Sequence, residues 1–162
     1  MQLFRIVTIC LLVLLGLPKA PAEAQEARRR WERMNQIRTE KFDQILPEAM
    51  RENGIDMWIT MIREANYGTL HLDFGQGYTG NTGYYIFTDR GGDRIERAAL
   101  GISGYRIRES GAYDLFQPAE NLADFARERY PRRIGINTSR TIRPVDNLTY
   151  TAIRTASRRE RV

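Results

Sequence analysis

The stretch Gly75-Gln76-Gly77-Tyr78-Thr79-Gly80 has the spacing G-x-G-x-x-G, which in dinucleotide-binding proteins lets the backbone approach a pyrophosphate. That chemistry needs a strand before the glycines and a helix after them, so that the helix N-terminus meets the phosphates. Here the residues that follow, Tyr84 to Asp89, read as a strand. A kinase-type glycine loop does join two strands, but it needs a lysine on a later strand, and Lys41 is the last lysine of the chain. The expected reading is a flexible surface loop. His71 is the only histidine, and a Ser-His-Asp arrangement around it lacks a nucleophile-elbow motif. A zinc site built on one histidine and several carboxylates lacks ligand spacing as well. Paired carboxylates can act as acid and base. Yet Asp89 and Asp93 flank a turn, Glu48 and Glu52 lie on a helix surface, and Asp114 precedes a proline-bounded helix. No catalytic, cofactor-binding or metal-binding residue is assigned on this chain.

The elements that position these residues can be read from periodicity. Met34, Ile37, Phe42, Ile45, Leu46 and Ala49 recur at helical spacing, with Pro47 expected to kink the helix or start a second one. Asn53-Gly54 supplies a left-handed stop. Ile55 to Ile62 is mostly apolar without alternation, as in an interior strand covered on both faces. Arg63 to Gly83 is a long connection with five glycines. Tyr84–Asp89 and Arg94–Gly101 read as a hairpin, and the alternation of Tyr105 and Ile107 with Arg106 and Arg108 predicts a further strand. Pro118 opens a helical stretch with Leu122, Phe125, Ala126 and Tyr130 on one face, closed by Pro131. Arg133–Asn137 is a short strand, and Asp146 caps a final helix with Leu148 and Ile153. The order predicts an α/β domain with a mixed β-sheet flanked by helices.

Residues 1–24 have the form of a signal peptide: Arg5, then an apolar run of 12 residues from Ile6 to Leu17, then Ala22-Glu23-Ala24. Such a run spans about 18 Å as a helix against a bilayer core of about 30 Å, so a permanent membrane anchor is not expected. Cleavage after Ala24 predicts an exported protein, periplasmic or secreted. The sole cysteine, Cys10, lies inside the apolar run, which excludes disulfide, thiolate and sulfur-ligand chemistry from the remainder. The net charge of +5 is carried almost entirely by arginine. The arginine runs are interleaved with acids and accompany no nucleic-acid motif, so nucleic acid is not an expected partner. Asn137-Thr138-Ser139 and Asn147-Leu148-Thr149 match the glycosylation sequon, a short pattern of little weight.

Residues 31–152 resemble the N-terminal domain of the pita-bread metallopeptidases: Xaa-Pro aminopeptidases, prolidases and creatinase. The resemblance is carried by Glu40-Lys41-Phe42-Asp43, by Leu46 to Asn53, and by Gly54-Ile55-Asp56-Met57-Trp58-Ile59. It continues through Phe87-Thr88-Asp89-Arg90-Gly91, Ile134 to Ser139 and Asp146-Asn147-Leu148-Thr149. Family members often have glycine where Asn147 stands, and Thr155 to Val162 does not look like the family. The resemblance implies a creatinase/prolidase-type domain over 25–152 with a sheet of the ribonuclease-H-like kind, and a basic tail, 153–162, of a truncated chain. In that family a following catalytic domain binds two divalent metal ions through two Asp, one His and two Glu, and cleaves bonds next to proline. None of those ligands can be matched in this chain, so it is expected to have no catalysis of its own. The implied role is contact in a homo-oligomer or with a catalytic domain, covering the substrate cleft. The rival readings are a small hydrolase using His71 and a free-standing periplasmic binding or interaction module.

Overall fold

Two consecutive helices lead into the sheet in the computed structural model, which describes residues 22–64 and 71–137. The apolar run 6–17, the helix expected after Asp146 and the tail 153–162 lie outside the described residues. Helix α1 is Ala22–Gln44. Residues up to Arg33 belong to one compact unit and residues from Met34 onward to a second. In the first unit residues 22–33 are helical and largely exposed, with Glu26–Arg30 and Arg28–Glu32 pairs one turn apart at 2.8 and 2.9 Å. Such exposed pairs contribute about 0.3–0.5 kcal/mol each.

In the second unit the buried stripe of α1 is Asn35, Arg38 and Phe42, continued by Leu46 and Met50 on α2 (Leu46–Glu52). This corrects the apolar face read from spacing, because Met34 and Ile45 are 46% and 59% exposed. Pro47 sits in the first turn of α2, where helix donors are unpaired anyway, so it starts a new helix and resets the periodicity. Gly54, at φ 61°, then turns the chain into β1 (Met57–Arg63).

The sheet has five strands in the order β4-β3-β2-β1-β5. Strands β1, β2 (Thr82–Thr88) and β3 (Glu96–Leu100) form an antiparallel meander, with Met57 opposite Thr88 and Tyr84 opposite Leu100. β4 (Leu115–Gln117) adds in parallel to β3, and β5 (Ile134–Ile136) returns in parallel beside β1. The chain is thus α/β with a mixed sheet flanked by helices. The period of two sends Ile62, Tyr85, Phe87 and Ala99 to one face, where they meet Phe42, Phe74 and Tyr113. Phe42–Phe87 and Trp58–Phe87 centroids lie 5.0 and 5.3 Å apart in this aromatic layer. Met57, Ile59, Ile86, Ala98 and Leu100 line the other face under Phe125 of α5 (Leu122–Arg129).

Three further expectations change. Residues 105–109 form helix α4 (Tyr105–Glu109), not a strand: Ile107 alone is buried, and Gly104 at φ 116° turns the chain just before it. β4 falls where no strand was expected, drawn in by pairing with β3. Tyr130 leaves the α5 face; it is the left-handed C-cap (φ 47°) and is 84% exposed. Among the described residues no helix is long and apolar enough to cross a membrane.

Candidate functional site

The G-x-G-x-x-G segment follows helix α3 (His71–Phe74), which has only four residues. So short a helix leaves its carbonyls without the donors that later turns would supply. Four consecutive carbonyls are instead taken by three side chains from three parts of the chain. Arg38 on α1 donates from Nη2 to Leu72 O (3.1 Å) and from Nε to Asp73 O (2.8 Å). The Tyr113 hydroxyl, ahead of β4, donates to Phe74 O at 2.7 Å. The Tyr85 hydroxyl, on β2, donates to Gly75 O at 2.9 Å. Arg38 is itself braced by Asn35 Oδ1 at 2.5 Å, and Lys41 pairs with the Asp73 carboxylate at 3.0 Å.

This clamp explains why a polar pair occupies the buried stripe of α1. Burial pulls the Arg38 guanidinium below its ordinary value, with Tyr113, Tyr85 and Asp73 opposing that shift. Burial also pushes the Tyr113 phenol well up, so it stays protonated and able to donate. Each such bond contributes about 0.5–1.5 kcal/mol, more for the charged donor. The glycine segment, read from sequence as flexible, is therefore fixed at its start.

Its next residues are fixed from the other side. Tyr78 N–H donates to Ser103 O and Ser103 N–H to Tyr78 O, both at 2.8 Å, forming an isolated antiparallel bridge. A methyl group on Gly104 would lie 3.2 Å from the Tyr78 ring, so that ring rests on bare backbone. Tyr78 and Tyr105 are nonetheless 70% and 63% exposed. Arg106 donates from Nε to the Tyr105 hydroxyl and from Nη1 to Gln76 Oε1, each at 3.1 Å. The Tyr105 hydroxyl, then the nearby phenol charges, hold this guanidinium above its ordinary value. Arg51, Arg94, Arg97 and Arg129 are each paired with a carboxylate. No ion pair to Arg106 is found among the described residues.

The other sequence candidates have structural duties or stand apart. His71 is the first residue of α3. Asp89 accepts a two-pronged contact from Arg51 (2.7 and 3.1 Å) and the Gly91 N–H at 2.8 Å, which closes the hairpin turn. The Arg51 contact, above all, holds the Asp89 carboxyl below its usual range. Asp93, Glu48 and Glu52 are exposed. Asp114 accepts from the Arg97 N–H at 2.9 Å and from Arg94 at 2.7 Å. Asn137 accepts from the Trp58 indole at 3.1 Å; Asn147 lies outside the described residues. The glycine segment has a helix before it and β2 after it, the reverse of the dinucleotide arrangement. Among the described residues no group of three His, Cys, Asp or Glu could hold a metal ion.

The clamp was missed from sequence because Arg38 and its acceptors are 34 and 35 residues apart. The only local signal was a polar Asn-x-x-Arg at helical spacing in line with Phe42. No protein-family model, curated protein or solved structure matches the chain.

Proposed function

We propose that this chain is a non-catalytic association domain of the Xaa-Pro aminopeptidase-like kind, exported and acting through contact with a catalytic domain or another copy. The observation that carries the reading is the run Leu46–Asn53, Gly54, then Ile55 to Ile59, which forms α2, a left-handed stop and an interior strand in one continuous stretch. The sheet supports it as well. β2 is antiparallel to the remaining strands and β5 returns in parallel beside β1, a mixed α/β sheet compatible with such a domain. In that reading the two divalent metal ions and their ligands belong to the catalytic partner.

Size-exclusion chromatography with light scattering and a hydrophobic-dye titration tests the proposal. A domain whose partner-facing surface is uncovered self-associates or binds dye. A monodisperse monomer without dye binding contradicts it and favours the second reading, a free-standing binding module. The specific observation for that second reading is the clamped, aromatic-bearing loop at Gln76–Tyr78.

A further inference from the structure

The surface made by Gln76, Tyr78, Tyr105 and Arg106 follows directly on the clamped segment. Three buried side chains hold the preceding carbonyls, and a two-sided backbone bridge holds Tyr78. What this scaffolding displays is two exposed phenol rings and one guanidinium. Exposed tyrosine costs burial energy that the fold would otherwise gain, and Tyr with Arg is the composition of residues that dominate interface energies. The arginine is oriented by two neutral acceptors, which fixes its fork, and among the described residues no carboxylate forms an ion pair with it. A pre-oriented guanidinium lying 5.9 Å from the Tyr105 ring centroid is complementary to a carboxylate on a chain that also lays apolar groups on the exposed rings.

The geometry points to a docking site for an acidic polypeptide segment: a carboxylate meets Arg106, and neighbouring side chains of the segment stack on Tyr78 and Tyr105. This goes beyond the association role above, because it names the chemistry of the partner and requires no peptidase. Preorganisation lowers the ordering cost of binding, so a short segment suffices. Nucleic acid and sulfated glycan would be drawn to arginine by charge alone. Neither accounts for a single guanidinium held by Gln76 and Tyr105, and both would prefer a broader basic field.

Fluorescence polarisation tests this with a labelled Glu-rich peptide of about twelve residues carrying one Leu and one Tyr, its Gln-for-Glu twin, and labelled heparin. The wild-type chain is expected to bind the acidic peptide, to bind the twin at least about tenfold more weakly, and to lose affinity as salt shortens the screening length to about 3 Å at 1 M. Arg106→Gln and Tyr105→Ala are each expected to weaken binding by about tenfold or more. Arg90→Gln, an exposed arginine on the hairpin turn, should leave it unchanged. Thermal melts of the variants check folding, and because Tyr105 is exposed they should match wild type. Three results would overturn the proposal: no binding of the acidic peptide, equal loss in Arg90→Gln, or retained binding in both Arg106→Gln and Tyr105→Ala. Tighter, Arg106-dependent binding of heparin would also overturn it, by showing a polyanion site.

Discussion

Replacing Tyr85 and Tyr113 by phenylalanine together removes two oxygens and little else. The rings stack on one another with centroids 5.2 Å apart, and that packing survives the change. What is lost is the donor to Phe74 O and the donor to Gly75 O. If the segment stays in place, each carbonyl is left dry at a cost of about 1–3 kcal/mol, so the pair should cost about 2–4 kcal/mol after partial relaxation. If the segment instead swings out to find water, the global loss is smaller. The Tyr78–Ser103 bridge then opens, and the Tyr78 amide exchanges faster. Urea denaturation reads the first outcome and hydrogen exchange over 71–80 reads the second. The double variant should lose about 2 kcal/mol or more, or show accelerated exchange at Tyr78, with single variants near half the effect. Stability within about 0.5 kcal/mol of wild type together with unchanged exchange would refute the clamp.

Asp43→Asn removes the negative charge opposite Arg97, whose side chain is 0% exposed, while Asp43 is 45% exposed. Contact at an effective dielectric of about 20 gives roughly 5 kcal/mol, and solvent at Asp43 reduces the expected loss to about 2–4 kcal/mol. Adding Arg97→Met should recover at least half of that in a denaturation double-mutant cycle. Tyr130→Gly removes a side chain from the left-handed C-cap and should raise stability by about 0.5–1 kcal/mol, read by thermal melting. Asp89 has a folded-state pKa below its ordinary value of 3.8, so its stabilisation is present above that pH and is lost as pH falls through the folded value. The stability gap between wild type and Asp89→Asn should accordingly be constant from pH 7 to about 5 and close below about pH 4.

Local chemistry was legible wherever the signal and its cause lay close together. Asn53-Gly54 announced the end of α2, the apolar run from Ile55 announced an interior strand, and the glycines of 89–95 announced the β2–β3 hairpin. The failures had causes distant in sequence. Tyr105 to Arg108 alternates over four residues only, a pattern one helical turn also satisfies, and Gly104 decided between them. Leu115-Phe116-Gln117 is too short to declare itself, and its conformation comes from the β3 edge. Polar Asn35 and Arg38 interrupt the apolar stripe, so periodicity chose Met34 and Ile45 instead; their burial is justified only by acceptors on α3. The glycines at 75, 77 and 80 suggested mobility, whereas the side chains of Arg38, Tyr85 and Tyr113 hold that segment from outside it.

Association in place of catalysis is decided most directly by supplying the chemistry that the chain is held to lack. Purified protein is incubated with Mn²⁺ or Zn²⁺ and fluorogenic Xaa-Pro peptides, and release of the N-terminal residue is followed. No turnover above the metal-only blank is predicted. Clear metal-dependent cleavage that co-purifies with the chain would contradict it, and its loss in His71→Ala would favour the small-hydrolase reading.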